Sequence, residues 1–236
     1  ISPPAFVSSR AKTAATAAAT MPRGAIMDRK IFSRIVRPVP AVLMKTVGGM
    51  ANRQIARDLG VSPTTINRQL SRLGRHCLLV HKQMVDGMPP PVDITIDGFE
   101  SFTRSQYHPN NITTVVGSSS QFLYGFVHTT LRRKGRMKEY QKAMRQLIDQ
   151  HWRPPRAATR SDCITLLTDL SPLICEAAER VDGLIICSDH HTAYPAALKR
   201  IPCIAQALEK GSVVHHRISS RAARTTTNPL FPINYL

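Results

Sequence analysis

Val92-Asp93-Ile94-Thr95-Ile96-Asp97-Gly98 alternates apolar and polar residues. As a β-strand it sets Val92, Ile94 and Ile96 on one face and Asp93, Thr95 and Asp97 on the other. Such a strand holds a carboxylate rigidly at its end. Much later, Leu184-Ile185-Ile186-Cys187-Ser188-Asp189 places a second Asp directly after a continuously apolar run, which reads as a strand buried on both faces. Between the two, Ile112–Val116 and Phe122–Thr129 read as further strands bounded by turn formers. Helices are expected over about Lys138 to His151, where Trp152-Arg153-Pro154-Pro155 stops the pattern, and over about Ser171 to Arg180. An α/β domain is the economical reading, and two strand-end carboxylates suit it to gripping a divalent metal.

Upstream, Met88-Pro89-Pro90-Pro91 is a stiff break consistent with a linker. Residues 48–88 before it read as a small all-α domain. Ile55, Ala56 and Leu59 share one face at helical spacing, and Gly60 supplies the left-handed backbone of a tight exit. Ser62 is placed to cap a second helix and Pro63 to open it, with Ile66, Leu70 and Leu73 as its inner stripe. This is a helix-turn-helix pattern. It leaves Thr64, Thr65, Asn67, Arg68 and Arg72 outward or flanking, where hydroxyl, amide and guanidinium groups reach base edges or phosphates in a major groove. A helical hairpin with a solvated charged face is the plainer alternative.

The 236 residues, 42% of them hydrophobic, suffice for one ordinary core and a small second domain. Thirty-two Lys and Arg against fifteen Asp and Glu give a net charge of +17, which favours a polyanionic partner, nucleic acid foremost. Residues 1–91 carry +11 of that charge, from fourteen basic and three acidic side chains, so this half leads the approach to phosphate. Residues 1–47, with an Ala/Thr tract from Ala14 to Thr20 and five scattered prolines, read as disordered, degenerate or partly helical. The Ala, Ser and Arg content of residues 8–20 gives an organellar transit peptide as a minor alternative. Five cysteines without a CxxC pair argue against a zinc ribbon and a disulfide framework, and read as reduced thiols of a cytoplasmic protein. No apolar stretch is long enough to cross a membrane.

Several blocks carry a family resemblance. Ile96-Asp97-Gly98-Phe99-Glu100-Ser101-Phe102 is followed by Ser105-Gln106-Tyr107, Leu131-Arg132-Arg133-Lys134-Gly135-Arg136-Met137, and Ser188-Asp189-His190-His191-Thr192-Ala193-Tyr194. The stretch His215 to Thr226 and Asn228-Pro229-Leu230-Phe231-Pro232-Ile233-Asn234 complete the order. From about Gly48 onward the chain resembles bacterial insertion-sequence transposases of the DDE type. The resemblance implies an RNase H-like mixed sheet with flanking helices over residues 92–236. It also implies two Mg²⁺ (or Mn²⁺) ions held by three carboxylates, for hydrolysis and strand transfer at transposon ends. Asp97 and Asp189 are then catalytic metal ligands, and Asp93 a weaker candidate. Arg132, Arg133, Lys134 and Arg136 are candidate contacts to transposon phosphates, with an ordinary solvated turn as the competitor. The partner is double-stranded DNA at transposon ends, with a homo-oligomer on DNA and a nucleoid-associated cytoplasmic location as expectations.

Other readings stay open at this level. Asp97 before Gly98 also suits a turn, and Asp189 also suits a helix cap. His190 and His191 are placed for positioning or DNA contact rather than for zinc, since no cysteine pair completes a site. Trp152 is either core or a stacking platform for an unpaired base. The resembling family carries its third acid on a helix after Asn-Pro-Leu-Phe-Pro, whereas Glu209 is the only acid beyond Asp189 here. The chain therefore reads as truncated before that acid, and its two carboxylates should hold metal weakly if at all. The family's cysteine-bearing ribbon is likewise missing ahead of the helix-turn-helix, and the chain opens without Met. A truncated or frameshifted gene copy accounts for these departures. The alternative to an enzyme is a non-catalytic DNA-binding regulator of transposition; a basic structural RNA-binding protein is a third class.

Overall fold

The computed structural model describes residues 38–180, 182–223 and 225–235. The expectations for residues 1–37, including the transit-peptide alternative, lie outside the described residues. The chain divides into two compact units, the first ending at Asp86 and the second beginning at Gly87.

Among the described residues the first unit has three helices, α1 (Pro38–Val47), α2 (Asn52–Asp58) and α3 (Pro63–Asp86). Their core is Val42, Ile55, Ala56 and Ile66, with Leu59, Val61, Leu70 and Leu73 packed around it. Gly60 takes φ +62°, the left-handed turn expected of it. The Ser62 hydroxyl accepts the Thr65 N–H at 3.1 Å, and Pro63 is the first residue of α3. The unit also takes in ten residues that the sequence reading left with the N-terminal segment: Val42 is fully buried, and Lys45 pairs with Asp58 at 2.7 Å. Prolines at 38 and 40 did not prevent this helix because both fall in its first turn, where the missing N–H has no partner to lose.

The second unit is a five-stranded mixed sheet with flanking helices, an arrangement compatible with an RNase H-like fold. Its strands are β1 (Asp93–Phe102), β2 (Pro109–Gly117), β3 (Leu123–Thr130), β4 (Leu184–Ser188) and β5 (Val213–Arg217), in the spatial order β3-β2-β1-β4-β5. β1, β2 and β3 form an antiparallel meander, because short turns join them. β4 lies parallel to β1 and β5 parallel to β4, which requires long crossovers. Helices α4 (Glu139–His151), α5 (Ala158–Asp169) and α6 (Ser171–Ala178) supply the first crossover; α7 (Ala193–Leu198) and α8 (Pro202–Lys210) supply the second. A 3₁₀ turn, Phe231–Tyr235, ends the described chain.

Two expectations are corrected. Cys175 on α6 and Cys203 on α8 are disulfide-bonded, while Cys77, Cys163 and Cys187 are free thiols. The bonded pair is 28 residues apart in sequence, and only the packing of α6 beside α8 brings it together. β4 is not buried on both faces throughout, since Ile185 is 43% exposed, as is its β5 neighbour Val214 at 42%. Helix α5 escaped sequence reading although Cys163, Leu166 and Leu167 make a buried i, i+3, i+4 stripe, because Ile164 falls outside that stripe and blurs it. Among the described residues no helix is long and apolar enough to cross a membrane.

Candidate functional site

β1 and β4 run parallel and side by side, with Ile96 paired to Ser188. The next residue along each chain is an aspartate, Asp97 and Asp189. Hydrogen-bonded strands lie about 4.8 Å apart, so the fold brings these two acids to neighbouring positions at the centre of the sheet. Asp97 Oδ1 accepts its neighbour's amide, Gly98 N–H, at 2.8 Å, and Asp189 Oδ1 accepts the His191 N–H at 2.8 Å. Each carboxylate thus makes the local turn bond that Asp commonly makes, while its strand fixes where it stands.

Tyr194, on α7, lies behind the pair and is 2% exposed. Burial first, then the charges of Asp189 and Asp97, push its phenol far above its ordinary range, so it stays neutral. A side chain at Gly98 would reach Asn111 Oδ1 at 2.6 Å and Tyr194 Oη at 3.1 Å. Asn111 is itself held, its Nδ2 donating to Thr113 Oγ1 at 3.0 Å within the core. Gly98→Ala is therefore expected to destabilise the protein by about 1–2 kcal/mol, measured by urea unfolding. An unchanged midpoint would show that Asn111 swings aside freely. Tyr194 lay within a block quoted from sequence, but Asn111 and Thr113 carried no local signal because they reach the site from β2.

Ser188, fully buried, shares a 2.9 Å hydrogen bond with His215 Nε2 on β5. Burial, then the charges of Arg217 and His216, lower the His215 pKa, favouring the neutral ring. Arg217 donates from Nη2 to the His190 carbonyl at 2.7 Å, tying the loop after Asp189 to β5. His191 uses Nδ1 to accept the Ala193 N–H at 3.2 Å.

Asp93 stands four residues before Asp97 on β1, roughly 13 Å away at the rise of a strand. Its carboxylate accepts Ser119 N–H at 3.0 Å and Ser119 Oγ at 2.6 Å, closing the β2–β3 turn. On the same strand face Thr95 is fully buried and donates to the Pro229 carbonyl at 2.8 Å. The Asn228-Pro229-Leu230 block therefore crosses the sheet on the Asp97 side, anchored by fully buried Leu230.

In the first unit, Thr64, Asn67, Arg68 and Arg72 are exposed along α3 and line one shallow depression together with Ser71 and Arg75. Ser71 and Arg75 continue the helical spacing and are the additions the structure makes to this face. Thr65 is half-buried, its hydroxyl 2.9 Å from Ser62 Oγ. Asn67 Oδ1 accepts from Asn52 Nδ2 at 2.8 Å, linking the outward face of α3 to α2.

The basic run after β3 divides. Arg132 makes a bidentate pair with Asp149 on α4, 3.2 Å from Nε to Oδ1 and 2.5 Å from Nη2 to Oδ2. Hydrogen bonding to Arg132 holds the Asp149 carboxyl below its ordinary range. Arg133 stacks over the Tyr107 ring at 4.9 Å, whereas Lys134 and Arg136 are exposed. Trp152 is 54% exposed and so is not core.

No family model matches the chain, and no curated protein matches its sequence. Among solved structures it has a weak likeness to the crystal structure of the Mos1 strand transfer complex, at 10% identity and a TM-score of 0.26. The likeness covers 84% of this chain and 63% of that one, so this chain spans less than two thirds of its neighbour's length.

Proposed function

We propose that this chain is a transposase-related DNA-handling protein. In this reading α2 and α3 are a helix-turn-helix reader of duplex DNA at transposon ends, and the second unit is an RNase H-like domain of the kind that cleaves and transfers DNA strands. The observation that supports it is the β1–β4 register, which sets Asp97 beside Asp189; in this reading the two carboxylates hold metal as in an RNase H-like site. Carboxylate oxygens are hard donors suited to Mg²⁺ or Mn²⁺. Such ions, when bound, activate the attacking water or 3′-hydroxyl and stabilise the leaving oxygen.

The donor set is short by one: among the described residues no group of three His, Cys, Asp or Glu side chains is placed to hold a metal. That observation favours the second reading, a regulator that occupies transposon ends without cutting them. Mn²⁺ titration followed by electron paramagnetic resonance separates the two. The enzyme reading expects Mn²⁺ binding weakened about tenfold by Asp97→Asn, through loss of one ligand charge, with cleavage of an end-bearing duplex lost in the same variant. Duplex binding that is indifferent to metal, with no cleavage in either protein, establishes the regulator.

A further inference from the structure

We infer that the cleft between α5 and α7 is a second DNA contact, a clamp for backbone phosphates built by Arg156, Arg160 and Arg200. The cleft measures about 480 Å³ and is floored by Ser161, Ile164 and Ala196. All three arginines are exposed, and none is ion-paired among the described residues. Among the described residues no carboxylate lines the cleft. Three guanidinium groups converging without a counter-charge repel one another, and an anion between them removes that repulsion. Their forked donors match phosphate oxygens bidentately.

Two further features specify the occupant. Helix α5 begins here at Ala158; Ala157 before it takes φ +56°, and among the described residues no side chain caps the first amides. The positive end of a 12-residue helix thus adds to the arginine field. The lining contains no aromatic side chain, so nothing stacks a base, and the recognised element is phosphate rather than nucleobase.

The helices that form the cleft pack on the sheet face shared by Gly98 and Thr113, opposite the face of Thr95 and Asp97. Near the start of α5, Asp162 accepts from Thr129 Oγ1 at 2.6 Å and Cys163 lies 3.9 Å from Thr113 Oγ1, while Thr113 is the β2 partner of Gly98. Helix α7 turns Tyr194 inward and contributes Ala196 to the cleft. The assignment rests on the DNA-handling reading, and it concerns none of the residues that carry that reading.

The test is a salt titration of the full chain on a short duplex, comparing the wild type with Arg156→Gln/Arg160→Gln/Arg200→Gln and with Arg68→Ala/Arg72→Ala. Each neutralised phosphate contributes about 0.9 to the slope of log affinity against log salt, so the triple variant should lose roughly 2.7 from that slope. Its melting temperature should match the wild type; if it does not, the single Arg160→Gln variant should lose roughly 0.9 instead. An unchanged slope in the cleft variants beside a reduced one in the α3 variant overturns the clamp and spares the DNA reading. A wild type that binds no duplex overturns both. Amide shifts at Arg156, Arg160 and Arg200 on adding inorganic pyrophosphate, with the duplex slope unaffected, identify a site for a free phosphate and overturn the backbone assignment.

Discussion

Arg68→Ala/Arg72→Ala weakens binding to duplex DNA by about 30- to 1,000-fold, the sum of roughly 1–2 kcal/mol for each lost guanidinium contact. The two side chains stand one helical turn apart on the exposed side of α3, on the same depression as Thr64 and Arg75. Neither belongs to the core of the first unit, which is built from Val42, Ile55, Ala56 and Ile66. The substitution should therefore leave the fold intact, and Ala favours a helix interior. Fluorescence anisotropy over a salt series reads the effect. If both arginines contact phosphates, the log–log slope falls by about 2 and all sequences weaken alike. If one reads a base edge, discrimination between sequences narrows instead. Affinity within twofold of the wild type would leave α3 as a solvated helix and remove the reader.

Gly183→Ala should be the most damaging single change in the second unit, costing about 2–5 kcal/mol of stability. Gly183 takes φ +63°, a conformation that places an L side chain against its own backbone. The added methyl would also strike the carbonyl oxygen of Ser212, which is backbone and already accepts the Leu184 N–H at 2.9 Å. That hydrogen bond sits at the entrance to β4 and β5, the parallel pair whose far end leads to Asp189 and Arg217. The strain cannot be relieved by rotating a side chain, so the two strands must separate or slide. Thermal unfolding followed by circular dichroism measures it, with a fall of roughly 6–15 °C expected for a protein of this size. A loss below about 1 kcal/mol would mean that the β4–β5 entrance yields easily, and the placement of Asp189 would then be loosely determined.

Helices α2 and α3 were largely legible because their signals are local. Gly60, Ser62 and Pro63 each act within one turn of their own position, and the stripe Ile66, Leu70, Leu73 reports a face without reference to anything distant. The strands β2, β3 and β4 were legible for the same reason, each within a few residues of its expected ends, whereas β1 runs six residues beyond its expected end at Ile96. The helix at Pro38–Val47 was not, because an Ala/Thr-rich, proline-punctuated segment reads as unstructured until Val42 finds its partners on α2 and α3.

What the sequence determined alone was which residues stand at strand ends and on helix faces, since alternation and 3.6-residue spacing are properties of neighbouring positions. It placed Asp189 at the end of a strand and Thr64, Asn67, Arg68 and Arg72 on one side of a helix, whereas Asp97, expected at a strand end, stands in mid-strand because β1 continues to Phe102 in its pairing with β2. Tertiary structure alone decided which ends meet. Strand order β3-β2-β1-β4-β5, with the helices packed on it, seats Asp97 beside Asp189, bonds Cys175 to Cys203 and gathers Arg156, Arg160 and Arg200 around one cleft. These pairings join segments separated by whole helices. Their partners are chosen by crossover geometry and by the burial of apolar faces against one another, and no local pattern of residues encodes that choice.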